Sequence, residues 1–355
     1  MALNMTNLTS GQDSYNPCWT PLVSDFVVIM FLLINHVILS SCLCVTGIVA
    51  NVINICVFLK QGLGTSTSIS FFSLSVADLL GLVTLLWYDM CLNPYLANLD
   101  TDILFKEVAY LTSGWPHGCA SRITSWTTVF ITAERCLSIA LPLKIKHVIT
   151  PERTTAIIII IYLINILSLV PEYSSAYYDW TFNVAKNKTV FGLVFRSNRP
   201  QTAGLSFLFH GSFTLISFFS VVTFTSVLVL ELRRTSKWRQ RAVNSGKQTA
   251  TMSKRDRKTM IMVVLVATSL IVCFVPTVVL SIVTISVSEF SVVGKEVNLF
   301  NTCWSFGFLL HSVNSNVHFL LYYKMSSKFR STFQNLFRRT ADAVDTHDTQ
   351  WDDHI

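Results

Sequence analysis

Long apolar runs, broken by short polar stretches, dominate the chain. Seven can be bounded, at about 30–59, 67–93, 108–140, 154–173, 204–231, 259–286 and 299–323. Each supplies the roughly 20 residues that a helix needs to cross hydrocarbon. Only helices and closed barrels satisfy their backbone inside lipid, and these runs are too long and too uniformly apolar for barrel strands. The pattern therefore predicts an all-α membrane protein, a seven-transmembrane helix bundle over 29–325. Beyond it Phe329, Phe333, Leu336 and Phe337 recur at helical spacing, with Lys328, Arg330, Arg338 and Arg339 on the other face. That predicts a short amphipathic interfacial helix over 326–340 on the inner leaflet. Residues 1–28 form a polar N-terminal segment. Residues 341–355 form an acidic tail with Asp342, Asp345, Asp348, Asp352 and Asp353.

Composition agrees. Of 355 residues, 51% are hydrophobic and 13% charged, about half the charged fraction of ordinary soluble domains. The mean hydropathy is +0.51. Charge then sets the orientation. The loop 233–258 carries Arg233, Arg234, Lys237, Arg239, Arg241, Lys247, Lys254, Arg255, Arg257 and Lys258 against the single acid Asp256, and residues 1–28 hold no Lys or Arg. By the positive-inside rule the N-terminus lies outside and the C-terminus inside. The net charge of +7 thus reads as topology and lipid headgroup contact and not as nucleic-acid binding. Residues 1–25 lack the basic start and short apolar core of a cleavable signal, so the first span is expected to act as its own insertion signal. Three glycosylation sequons, at Asn4, Asn7 and Asn187, all fall in segments that charge places outside. These features predict a multi-pass plasma-membrane protein.

Nine cysteines show no metal-ligand spacing. Cys18, Cys91, Cys119 and Cys303 lie outside or near outer ends, where one disulfide among them can form. No internal repeat is visible. In the basic loop Ser236, Thr249, Thr251 and Ser253 are candidate phosphate acceptors, although exposed hydroxyls of this kind usually go unmodified.

Polar residues inside the spans carry the chemistry, because each needs a partner or water. They are Asn51 in span one, Asp78 in span two, Glu134 and Arg135 closing span three, and Asn314, Ser315, Asn316, His318 and Tyr322 in span seven. Span six contains Cys273-Phe274-Val275-Pro276, whose proline removes a backbone hydrogen bond and kinks its helix. In this order and these spans the residues resemble the rhodopsin-like (class A) G-protein-coupled receptors, over about 30–337. Trp115-Pro116-His117, Glu134-Arg135-Cys136 and the stretch Tyr322–Arg330 look most similar to molluscan chemosensory receptors, which in turn resemble invertebrate FMRFamide-type neuropeptide receptors.

The resemblance implies a role for each match. Glu134-Arg135 corresponds to the acid-arginine switch, with Cys136 for the usual Tyr, and Tyr322 to the Tyr of the span-seven motif. Asp256 lies 20 residues before Pro276, about 30 Å along a helix, where the family's lock acid lies. It can equally be a solvated acid in a basic run. Pro276 would be the hinge and Phe274 the aromatic rotor. Asp78, with Asn51, Thr124, Asn314 and Ser315, matches a sodium-site carboxylate and its partners; His318 departs from that pattern. A protonated, structurally hydrogen-bonded Asp78 is the alternative. Tyr110 stands where the family has a bridging Cys, and no Cys lies between spans four and five, so the usual extracellular disulfide is expected to be absent. The absence of an acid at His117 argues against an amine ligand, and the lack of a Lys in span seven before Lys324 excludes an opsin.

His117 precedes Arg135 by 18 residues and so sits in the outer pocket, with Tyr88 and Trp304 as further pocket candidates. Aromatics at that level also form the membrane-interface belt. The expected function is a receptor, not an enzyme. It would bind an extracellular chemosensory or peptide ligand and activate a heterotrimeric G protein, with no cofactor beyond a sodium ion near Asp78. A neuropeptide receptor is the rival within that class. A seven-helix transporter or channel is the rival outside it; paired broken helices or an ionisable midplane path would mark one, whereas this sequence presents Asp78 as its one deep acid.

Overall fold

The computed structural model describes residues 21–97, 99, 101–140, 145–184, 187–244, 254–291 and 294–336. Seven long helices form one bundle: α1 (Asp25–Gln61), α2 (Ser66–Cys91), α3 (Trp115–Ala140), α4 (Pro151–Ser175), α5 (Arg199–Asn244), α6 (Lys254–Ser286) and α7 (Val297–Met325). A short α8 covers 327–336. Five of the expected spans fall inside these helices; 67–93 overruns the end of α2 at Cys91, and 108–140 begins before α3, in a short helix and a π-helical stretch that lead into Trp115. The largest difference is α5, which continues well past 231 into the basic loop.

Helix ends follow local chemistry. The Thr65 hydroxyl accepts from the Ser68 amide to start α2, and Thr150 with Pro151 behind it starts α4. Gly62, at φ 81°, closes α1. Pro276 sits inside α6.

Neighbours pack as α1 on α2 and α7, α2 on α3, α3 on α5 and α4, and α6 on α5 and α7. The polarity is inside out. On α4, Ile157, Ile159, Ile160, Leu163, Ile164 and Leu167 point away from the bundle, while Thr154 and Asn165 are buried. Five helices are long and apolar enough by themselves to cross a membrane. The third and seventh carry more polar residues because they fill the middle, where Thr124, Thr128, Thr132, Ser312, Asn314 and His318 are buried.

The helical bundle carries a hairpin besides. Strands β1 (Ala176–Asn183) and β2 (Lys188–Phe195) form an antiparallel hairpin between α4 and α5, in register from Ala176↔Phe195 to Asn183↔Lys188. Its residues are the aromatic and β-branched types that favour strands. Asn187, at φ 48°, supplies the left-handed residue that the turn requires. The hairpin marks one end of the bundle.

At the opposite end, Phe58, Phe71, Leu74, Ile131, Val263 and Tyr322 form a core that also takes in Phe329 of α8. Phe329 is 1% exposed and lies 5.6 Å from Phe58 and 5.8 Å from Tyr322, ring to ring. Phe333 packs on Phe319 and Tyr323. The apolar face of α8 is thus partly spent on the bundle itself.

Candidate functional site: a polar core linking the two ends

At the hairpin end, the three expected pocket residues converge on one ring that sequence reasoning passed over. Phe308 of α7 lies 5.3 Å from Tyr88, 5.5 Å from His117 and 6.3 Å from Trp304. His36 joins the same cluster at 5.7 Å. It reaches inward from a π-helical stretch of α1 (Leu33–Ser40), and its Nδ1 sits 2.7 Å from Asp89 Oδ1. Both partners are buried. A second π stretch, Tyr110–Gly114, links the short helix Phe105–Ala109 to α3. The Tyr110 hydroxyl donates to Glu172 Oε1 at 2.8 Å, and Arg199 pairs with the same oxygen. Such insertions re-aim side chains and recur at functional sites. Here each one directs a side chain at a buried carboxylate.

Among the described residues no disulfide joins the outer cysteines: Cys91, Cys119 and Cys303 are free thiols, while Cys18 lies outside the described residues. Non-covalent contacts hold the hairpin instead. The Tyr178 hydroxyl donates to the Val108 carbonyl at 2.5 Å, and the Leu193 amide donates to Glu107 Oε2 at 2.8 Å. Gly192 makes room for that carboxylate, since a Cβ there would lie 2.3 Å from Glu107 Oε2.

Deeper in the bundle, His117 is 4% exposed and fixed by its neighbours. Its Nδ1 is 2.9 Å from the Gly81 carbonyl, which only accepts, so neutral His117 carries its proton there. Its Nε2 lone pair then accepts from His311 Nδ1 at 3.3 Å, and His311 Nε2 accepts from the Thr277 hydroxyl at 3.4 Å. Phe274 stacks on His311 with centroids 4.5 Å apart. A chain of contacts therefore runs from His117 on α3 through His311 on α7 to Phe274, two residues before Pro276.

Below the histidines lies a cavity of about 10 Å³, lined among others by His117, His311, Phe274, Asn314 and Asp78. It has room for about one water molecule. Asp78 closes it. Its Oδ1 accepts from Thr124 at 2.9 Å and Ser315 at 3.2 Å, while Oδ2 faces His318 Nδ1 at 2.6 Å. The other two expected partners turn elsewhere. Asn51 Nδ2 donates to the carbonyls of Gly47 and Ser315, and Asn314 Oδ1 accepts from Ser269. Around Asp78, then, hydroxyl donors engage one carboxylate oxygen, an imidazole faces the other, and Asn51 and Asn314 make their bonds elsewhere.

At the end opposite the hairpin, Arg135 points into the protein. Its Nη2 is 3.0 Å from Glu134 Oε1 and also donates to the Thr67 hydroxyl at the start of α2. Glu134 is buried and Arg135 half-buried. Asp256 falls within α6, but its side chain lies outside the described residues. Tyr322 is 1% exposed between Phe58 and Phe71. Of the sequons, Asn187 is exposed in the hairpin turn, while Asn4 and Asn7 lie outside the described residues. So do Thr249, Thr251 and Ser253 and the acidic tail.

Residues 38–340 match the family model of the serpentine type 7TM GPCR chemoreceptor Srw. The chain belongs to this chemoreceptor family. It is therefore a multi-pass membrane receptor built on a seven-helix bundle. In this Srw receptor Asp78 is not the one deep acid: Asp89, Glu134 and Glu172 are buried as well, and so is Arg122. Sequence reasoning missed Arg122, His210 and His311. The signal was available, because an ionisable residue within an apolar span marks function by default.

Proposed function

We propose that the receptor lies in the plasma membrane with its N-terminus and hairpin outside, glycosylated at Asn4, Asn7 and Asn187, and that it senses an extracellular ligand and activates a heterotrimeric G protein. The carrying observation is the continuous polar path from His117 to Asp78, with the Glu134–Arg135 pair about 15 Å further along α3. A ligand that moves His311 also moves the ring of Phe274 stacked upon it, next to the kink at Pro276. Tilting α6 about that proline would shift the helix bearing Asp256 relative to Arg135. That would be a two-state element biased by ligand. Tyr322, wedged between Phe58 and Phe71, would have to leave its niche in the same movement. The charge pattern of the loops and the match of Glu134-Arg135, Pro276 and Tyr322 to rhodopsin-like receptors support this reading.

The test is expression with a promiscuous G protein and a screen of small waterborne metabolites. Neuropeptides of FMRFamide type belong in the same screen, and a peptide hit would make this a neuropeptide receptor. Arg135→Ala should abolish the response while surface expression persists. Ligand-driven current or flux that ignores Arg135→Ala would sink the proposal in favour of a channel or transporter.

A further inference from the structure

Arg122 is 2% exposed and sits on α3, five residues from His117 and thirteen from Arg135. Its Nε donates to Asn165 Oδ1 at 3.2 Å and its Nη2 to Ser168 Oγ at 2.8 Å, both on α4, while Nη1 meets His210 Nδ1 on α5. A guanidinium only donates, so His210 Nδ1 must offer a lone pair and the ring cannot be an imidazolium in this arrangement. Every partner of Arg122 is thus uncharged.

The other deep charges differ. Asp78 faces His318, Asp89 faces His36, Glu172 faces Arg199 and Glu134 faces Arg135. Among the described residues no carboxylate pairs with Arg122. A buried charge without a counter-charge is costly, and the cost falls when an anion arrives. The His210 side of the guanidinium is the less enclosed one. Asn165 and Ser168 are buried, whereas His210 is half-buried. His210 also meets the Trp115 ring edge-on at 6.0 Å, and Trp115 lies 5.6 Å from Phe207. An incoming carboxylate can displace the Nδ1 lone pair, take two parallel N–H bonds from the guanidinium, and leave its apolar remainder against these rings.

We propose that Arg122 and His210 form an anion-recognition site between α3, α4 and α5, and that it takes the carboxylate of a small organic acid. This rests on the receptor reading above, but its test does not involve signalling. Purified full-length receptor is melted in acetate or phenylacetate, with chloride balancing ionic strength and methyl phenylacetate as the uncharged counterpart. A carboxylate near saturation should raise the melting temperature by about 2–4 °C, and the ester should not. Arg122→Met should abolish that rise and, having lost an unpaired charge, melt no lower than the wild type. If Arg122→Met does not fold, Arg122→Lys decides, with a weaker carboxylate response expected from a charge that cannot bind in two places.

Three results would overturn the assignment: equal melting in carboxylate and chloride, a carboxylate response that survives loss of the charge, or no response from a folded Arg122→Lys protein. A receptor that binds carboxylate through Arg122 yet fails to activate a G protein would refute the signalling reading alone.

Discussion

Replacing Arg199 with Met tests whether a charge clamp closes the hairpin end of the bundle. The Glu172 side chain is 0% exposed and that of Arg199 18%. Glu172 Oε1 serves both Arg199 and the Tyr110 hydroxyl, and Oε2 has no partner. Removing Arg199 therefore strands a carboxylate that water cannot reach, a loss of about 3–5 kcal/mol. The reverse change is milder. Glu172→Gln keeps an oxygen for Tyr110 and leaves behind a cation that is partly open to solvent, a loss of about 1–3 kcal/mol. With both charges gone, the double variant should lie close to Glu172→Gln, giving a coupling about as large as the Arg199→Met loss itself, about 3–5 kcal/mol. At roughly 2–4 °C per kcal/mol, Arg199→Met should melt about 6 °C or more below the wild type. Cys44, Cys91 and Cys119 are buried free thiols, whereas Cys42 and Cys56 are exposed, so the rise in labelling by a thiol-reactive dye above its folded baseline reports unfolding. If the two single variants lose equally and their losses simply add, the clamp contributes nothing as a pair and the reasoning fails.

Two further outcomes follow from contacts at either end. Burial raises the Glu107 carboxyl above its ordinary value of 4.5, against the opposing effect of the Leu193 amide that it accepts from. The folded receptor then holds more protons than the unfolded chain between those two values, so stability should fall as pH rises through that window; melting from pH 4 to 7 should show this slope, and Glu107→Gln should flatten it. Phe329→Ala removes a ring buried against Phe58, Tyr322 and Phe319 and should cost about 3–5 kcal/mol; unchanged melting and surface expression would mean that α8 is not part of the core.

Much of the architecture is written locally. The number of spans, their approximate limits and the amphipathic α8 all follow from runs and periods, because lipid obliges each spanning segment to satisfy its own backbone. The hairpin was also encoded, in the aromatic and β-branched residues of 176–195, but it lies in a connection too short to stand out against the long apolar runs. The identities of Asp78, Arg135 and Pro276 were legible because each breaks a local rule of apolar or helical sequence.

What tertiary structure alone decided is pairing. Nothing along the chain says that His318 would cap Asp78, that Asn51 and Asn314 would turn away from it, or that Glu172, Arg199 and Tyr110 would meet where a disulfide was missing. Nor does the sequence say that Arg122 would find neutral partners only. Span composition shows that a charge is buried. Whether it is neutralised depends on which faces of neighbouring helices oppose one another, and that depends on helix rotation, on the two π stretches that re-aim His36 and Tyr110, and on packing across hundreds of residues of separation.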